Sequence, residues 1–310
     1  MTSPRGHLYA GIELGGTKIA CRVVEDAAGV VAEERFGTST PMEAIDRLAA
    51  CLERATGTRP LRALGVASFG PIVVDETSPH YGRLLTTPKE GWSGFDLRAA
   101  LASRFPVPLV IDTDVNAAAL AEQRCGAARG LHTVAYVTVG TGIGGGLAIA
   151  GRTHRGALHP EVGHMRLRRR AGDRHISTCA FHDDCAEGLA AGPAVIRRLG
   201  GRAALRESPE VMDTVAGYLG DLAANLVLAW APHRIVFGGG VMATTGLIEK
   251  VRRAMRLALG DYAVHGPAQA DFLVPASLSD AGLEGALLLA RSAAGLDPDE
   301  AGTRPWVQIC

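Results

Sequence analysis

Apolar residues near the N-terminus fall into three short runs rich in β-branched side chains, Leu8 to Ile12, Ile19 to Val24 and Val30 to Phe36. A glycine turn, Gly15-Gly16, separates the first two, and the pattern predicts a three-stranded meander. Between Pro41 and Ala55 the period changes. Ile45, Leu48, Ala49 and Leu52 recur at three-four spacing behind Thr40, which predicts a helix with Thr40 as its N-cap. Strands are expected at Leu64 to Ser68 and Val107 to Ile111. They flank a Gly/Pro-rich segment, Gly70 to Gly94, too long for an ordinary connection and therefore read as a functional loop.

The same grammar then restarts. A helix is expected from Val115 to Cys125, a strand from Thr133 to Val139, a glycine turn over Gly140 to Gly146 and a strand from Leu147 to Ala150. Further helices are expected at Pro193 to Leu199 and Pro209 to Trp230. A strand, Arg234 to Phe237, leads into Gly238-Gly239-Gly240, with helices beyond it near Thr245 to Leu259 and Ala281 to Ala294. Alternating strands and helices with glycine turns at strand ends predict an α/β protein whose ligand sits at those turns.

A chain of 310 residues, 47% of them hydrophobic, can bury one large core or two ordinary ones. Lys plus Arg and Asp plus Glu both number 32, so no net field draws the chain toward nucleic acid or an anionic membrane. The basic run Arg166-x-Arg168-Arg169-Arg170 is read as a solvated strand face. No apolar run is taken to reach the length of a bilayer span, and Met1 to His7 has no signal-peptide core, so the expected location is the cytoplasm.

His164, Cys179, His182 and Cys185 offer two imidazoles and two thiols within one short window, the composition of a closed tetrahedral site for structural Zn²⁺. The alternatives are a Cys179–Cys185 disulfide, or four residues with no common role. Three glycine clusters, Gly15-Gly16-Thr17-Lys18, Gly140 to Gly146 and Gly238 to Gly240, let backbone amides approach an anion without an intervening Cβ, and two of them carry a threonine hydroxyl. The middle cluster also matches Gly-x-Gly-x-x-Gly. It leads into a strand and a Gly151-Arg152 turn rather than a helix, which argues against a dinucleotide site. Asp112-Thr113-Asp114-Val115-Asn116 sits where a strand gives way to a helix. A carboxylate there either caps the helix or deprotonates a substrate hydroxyl.

Taken together, GIELGGTK from Gly11, ASFGP at 67–71, TTPKEGW at 86–92, DTDVNAA at 112–118, GTGIGGG from Gly140, HPEVGH at 159–164, the Cys-x-x-His-x-x-Cys loop, EGLAAGPA at 187–194 and FGGGVM at 237–242 resemble the ROK family of sugar kinases and repressors. The resemblance runs from Leu8 to about Ala290. It is nearest the bacterial fructokinase branch, to which Glu13 in the first phosphate motif, the Thr-Pro-Lys-x-Gly-Trp loop and the His/Cys/His/Cys set are typical.

The resemblance implies an actin-like, hexokinase-like (ribonuclease H-like) duplicated α/β fold, two domains with a central cleft for ATP and sugar. Residues 1–113, joined by the C-terminal helix near 281–296, would form the smaller domain, and 114–280 the larger one with the zinc loop 164–185. Asp114 would be the general base. Gly15, Gly16, Thr17, Lys18, Thr141 and Gly142 would bind phosphates, and Gly192, Pro193, Gly239 and Gly240 would border the adenosine. Gly70, Thr87, Glu161, His164 and Glu187, with Asp114, would form the sugar pocket, His164 lying at or beside the metal. Lys89 and Trp92 are either part of the site or simply a loop cation and a core aromatic.

The implied activity is ATP-dependent phosphorylation of a hexose, D-fructose to fructose 6-phosphate, with Mg²⁺ accompanying ATP and Zn²⁺ as a structural ion. Thr113 stands where the glucokinase branch carries Asn, which turns the expectation away from glucose and leaves mannose or broad hexose specificity as the alternative. A sugar-sensing regulator is the competing class. The family's repressors carry an N-terminal helix-turn-helix, for which a first strand at Leu8 is taken to leave no room. A homodimer is implied by the resemblance alone.

Overall fold

In the computed structural model, residues 6–26, 28–200, 204–260, 262, 266, 267 and 269–296 are described. The chain divides into two compact units. The first comprises residues 1–126, 151–159 and 278–310, and the second 127–150 and 160–277. The division expected after Thr113 therefore falls differently. The helix that begins after Thr113 and the segment 151–159 both belong to the first unit, because that helix is packed tightly against the C-terminal helix.

The first unit is built on β1 (Leu8–Leu14), β2 (Lys18–Glu25), β3 (Gly29–Gly37), β4 (Leu61–Ser68) and β5 (Leu109–Thr113). They form one sheet in the order β3-β2-β1-β4-β5. The β1–β2 and β2–β3 pairs are antiparallel, whereas β1–β4 and β4–β5 are parallel. Alternation along β1 sorts its residues between the two faces of the sheet. Leu8, Ala10, Ile12 and Leu14 join a core with Ile45, Leu48 and Leu52 of α1 (Pro41–Thr56). Tyr9 packs instead with Leu287 and Ala290 of α8 (Ala281–Ala293).

Thr40 precedes α1, but its side chain makes no capping bond; Pro41 at the first turn and the chain's entry angle set that start instead. The unit also contains α2 (Leu97–Arg104), α3 (Asp114–Arg124) and the two-residue strand β8 (Arg152–Thr153). The pattern of apolar positions gives no sign of α2, which buries only Leu97 and Leu101 and starts on an Asp96 side-chain cap. Gly65 and Gly285 are where α8 touches backbone. A Cβ on Gly65 would lie 2.0 Å from Ala286 O, and one on Gly285 2.0 Å from Ala117 O of α3.

The second unit contains β6 (Thr133–Val139), β7 (Ile143–Ile149), α4 (Ala186–Ala190), α5 (Gly192–Leu199), α6 (Pro209–Trp230), β9 (Arg234–Gly238), α7 (Leu247–Leu259) and β10 (Leu273–Pro275). Its strands run in the order β10-β9-β6-β7, with β6–β7 antiparallel and β6–β9 and β9–β10 parallel. The turn expected over Gly140 to Gly146 is shorter, because β7 begins at Ile143 and takes Gly144, Gly145 and Gly146 into the strand. A side chain at Gly145 would reach within 2.4 Å of Val162 Cγ2, so these glycines admit the 3₁₀ turn Val162–His164 against the strand.

α6 is long and apolar enough by length and composition to cross a membrane, which corrects the expectation that no run is. However, 67% of its apolar window is buried inside the fold, where Val215, Leu219, Leu222 and Leu226 join the second unit's core. The arginine run 166–170 is not a strand. Arg166 pairs with Asp184, Arg169 donates to the His175 and Asp183 carbonyls, and Arg170 pairs with Asp221, so the run fastens a loop.

Candidate active site and metal centre

In the first unit, the β1–β2 turn is closed by Gly15 N donating to Lys18 O at 3.0 Å, while the Thr38 hydroxyl donates to Gly15 O at 2.7 Å. A Cβ on Gly15 would lie 2.7 Å from Lys18 O, so only glycine fits the loop in this form. Thr17 and Lys18 are exposed at its tip. Lys89 comes to the same place, its Cε 3.5 Å from where a Gly16 Cβ would stand. Trp92 does not. It is 1% exposed, edge-on to Phe69 and Phe95, and its Nε1 donates to Ser39 O, so it is a core aromatic that carries the Thr-Pro-Lys loop. Within that loop Ser93 ties down Thr87 through its backbone N and O. Gly70 precedes Pro71 through a cis peptide, and Ile72 N donates to the buried ring of His159.

Glu13, at the end of β1 on the α8 side, lies against Gly282, and burial pushes its carboxyl above the usual range. Around it Arg22 reaches Glu33 and Glu284, and Arg35 reaches Asp280 through two bonds.

At the β5–α3 junction three neighbouring polar residues have three different roles. Thr113 is the N-cap, its hydroxyl accepting from Asn116 N at 3.2 Å, so neither aspartate caps the helix. The side chain of Asp112 is wholly buried: Oδ1 accepts from Thr113 N and Asn116 Nδ2, and Oδ2 lies 3.4 Å from Arg155 Nε. Burial pushes that carboxyl up, and Arg155 opposes the shift. Asp114 is the first residue of α3, partly exposed at the carboxyl end of β5, with Oδ1 accepting from Val115 N at 2.8 Å. A carboxylate there is steadied by the helix N-terminus and keeps partial contact with solvent.

The second unit gathers its glycines at the carboxyl ends of two parallel strands, β6 and β9. Gly140 N donates to Gly142 O at 2.9 Å, and Gly192 N, opening α5, donates to Gly140 O at 2.7 Å. Gly239 comes directly after β9 with φ +90° and its α-carbon pressed to Val139 O, a conformation and an approach that exclude a side chain. Val241 N then donates to Val139 O. Thus Thr141, Gly142, Gly192, Pro193, Gly239 and Gly240 are brought to one corner. The Glu187 carboxylate reaches the same corner, its Oε2 accepting from Ile143 N at 3.0 Å.

His164, Cys179, His182 and Cys185 converge, with one ligand atom from each lying within 4.8 Å of the others. Cys179 Sγ is 3.7 Å from the Nδ1 atoms of both His164 and His182, close to the N···S edge of about 3.6 Å that tetrahedral zinc bond lengths imply. Both cysteines are free thiols, which removes the disulfide alternative. Burial pushes Cys185 up to about 11, so a thiolate there calls for a cation. Two nitrogens and two sulfurs in a closed set fit a borderline-soft divalent ion. Glu161, exposed, opens the 3₁₀ turn that carries His164. Two supports had no signal in the pattern of apolar positions: Arg155, from a loop remote in sequence, and Lys89 beside Gly16.

The sequence pattern of the ROK family matches residues 9–293. A fructokinase from Pediococcus pentosaceus is 39% identical over 289 residues, spanning 92% of this chain and 98% of that protein. A fructokinase from Zymomonas mobilis is 37% identical over 292 residues, 92% and 97% of the two chains. Among solved structures, a ROK hexokinase from Thermus thermophilus is 30% identical with a TM-score of 0.75, over 93% of this chain and 99% of that one. A ROK family glucokinase from Streptomyces griseus, solved with glucose and AMPPNP, is 27% identical with a TM-score of 0.72, over 92% and 99%. The two strand-turn-strand units are those of the actin-like, hexokinase-like α/β fold, and the chain belongs to the ROK family.

Proposed function

We propose that this protein transfers the γ-phosphoryl group of ATP to a hexose, D-fructose in preference, giving fructose 6-phosphate and ADP. The observation that carries the reading is Asp114, a partly exposed carboxylate at the start of α3, on a chain 36–39% identical to several fructokinases along nearly its whole length. Asp114 would take the proton of the sugar's 6-hydroxyl as that oxygen attacks the γ-phosphorus and the bond to the ADP oxygen breaks. Gly15 to Lys18 and the Thr141-Gly142 amides would bind phosphates; Gly192, Pro193, Gly239 and Gly240 would border the adenosine. Mg²⁺ arriving with the nucleotide supplies charge neutralisation.

Sugar hydroxyls would meet Glu161, His164 and Glu187, with Gly70 and Thr87. His164, Cys179, His182 and Cys185 would hold Zn²⁺. With Nδ1 of His164 turned toward Cys179, Nε2 is the nitrogen left for a sugar hydroxyl. The proposed setting is a cytoplasmic homodimer.

ADP release measured with Mg-ATP against fructose, mannose, glucose, N-acetylmannosamine and N-acetylglucosamine tests the reading through kcat/KM for each sugar. A fructose preference supports it, and a mannose preference moves the substrate within the class. No turnover with any sugar despite measurable sugar binding turns the reading toward a sugar-sensing regulator.

A further inference from the structure

The Gly140–Gly142 turn is held from behind by a short chain of contacts that begins at the Cys/His cluster. Cys185 is the N-cap of α4, its Sγ accepting from Gly188 N at 3.4 Å. Gly188 is pressed against Cys179, its absent Cβ standing 3.0 Å from Cys179 Cβ, and Thr178 N donates to Gly188 O. Two residues after Cys185, Glu187 turns its carboxylate to the β6–β7 turn, where Oε2 accepts from Ile143 N at 3.0 Å. The fit is close: a Cβ on Gly142 would lie 2.6 Å from that oxygen. The other arm of the cluster presses on the same place, since the α-carbon of Gly163, next to His164, abuts Ile143 O, where a Cβ would stand at 1.8 Å.

The hydrogen bonds of the turn show what this support achieves. The Gly140 amide is used on Gly142 O and the Ile143 amide on Glu187, while Gly192 N occupies Gly140 O. Among the described residues the amides of Thr141 and Gly142 donate to no protein acceptor, which leaves two adjacent donors at the turn. Such a pair of donors binds an anion well only if the turn is held in place beforehand.

We infer that Glu187 is a positioning residue for the nucleotide-phosphate turn, and that the Cys/His metal cluster fixes Glu187, so nucleotide affinity as well as sugar affinity depends on the metal. The inference rests on the kinase reading. It divides the work of one carboxylate: Oε2 braces Ile143 N, and Oε1 is left for the sugar.

The test is titration calorimetry of the full-length, sugar-free protein with ADP and Mg²⁺, and separately with fructose. Glu187→Ala removes the acceptor for a charge-assisted bond and is expected to weaken ADP binding about tenfold. Glu187→Gln keeps an acceptor oxygen and removes a negative charge near the phosphates. It should therefore bind ADP at or above the wild-type affinity while still losing fructose affinity. A general structural role would not produce that split. Metal-chelated wild type and Cys185→Ser should lose ADP affinity in step with metal content measured by elemental analysis.

If Cys185→Ser does not fold, the chelated protein and the two Glu187 variants decide. Wild-type ADP affinity in Glu187→Ala overturns the positioning role, and unchanged ADP affinity after full metal removal overturns the link to the cluster. A wild-type protein that binds no ADP at all would instead overturn the kinase reading.

Discussion

The turn Gly15–Lys18 joins β1 to β2, and the turn Gly140–Gly142 joins β6 to β7. In each unit the first strand of the hairpin also runs parallel to a later one, β4 beside β1 and β9 beside β6. Their supports differ. The first turn is closed by its own backbone, with a neighbouring hydroxyl from Thr38, and presents two cationic side chains, Lys18 and Lys89. The second presents no lysine. It is braced by a carboxylate, by the start of α5 and by a loop ordered around four metal-type donors. The two hairpins thus share a strand pattern but not the way the turn is made rigid. The unit with a self-closing turn also carries the candidate base, and the unit with the externally braced turn carries the Cys/His donor cluster.

The sharpest break of this comparison is at the base itself. Asp114→Asn keeps the shape and the Thr113 cap, so turnover should fall by roughly three orders of magnitude or more, while fructose affinity and melting temperature stay near wild type. Near-normal kcat in that variant rules out Asp114 as the base and with it the chemical asymmetry between the units.

Next comes the buried pair behind the base. Arg155→Met leaves Asp112 in a site with no exposure and no cation, at a cost of about 1–3 kcal/mol in unfolding free energy. The pH dependence fixes the cause. Because burial raises the Asp112 pKa in the folded state, the stability tied to its neutral form is present at low pH and lost as pH rises through that pKa. The variant should therefore be least destabilised in mild acid and most destabilised above neutrality. Asp112→Asn in the same background should remove that slope. A destabilisation independent of pH would mean that the loss is one of packing.

The two turns can also be compared directly with one methyl group each. Gly15→Ala drives a Cβ against a backbone carbonyl that cannot move without opening the turn. It should cost ~1–3 kcal/mol of stability. Gly142→Ala meets a side-chain carboxylate that can swing aside, so the stability loss should be smaller while ADP affinity falls. Equal stability losses, read by denaturant unfolding, would remove the distinction between self-closed and braced turns. The smallest effect is expected on the metal loop's surface. Arg166 is 70% exposed where it pairs with Asp184, so Arg166→Ala should leave the melting temperature unchanged within error and metal content intact.

Much of this was legible along the chain because it depends on local periodicity. The strands of the first meander, α1, β6, α6 and β9 obey apolar spacing that has only one good solution on a sheet or a helix face. The four donors His164, Cys179, His182 and Cys185 were legible for a chemical reason, since two thiols and two imidazoles at short spacing have few other joint uses. Less was legible where a short element depends on its surroundings. α2 and α4 are too short for a periodic signal, and β10 gains its place in the sheet only through β9.

What the sequence by itself determined is the class of the chain. Its alternation of strand and helix, its glycine turns, its metal-type donors and its family motifs are all set by residue type and spacing. Only the tertiary structure decided which residue of Asp112-Thr113-Asp114 does what. Capping, burial and exposure depend on where Arg155, Asn116 and the end of β5 stand around them. It likewise decided that Trp92 is core and that Glu187 faces Ile143, since a side chain's role is set by partners distant in sequence, which no local pattern encodes.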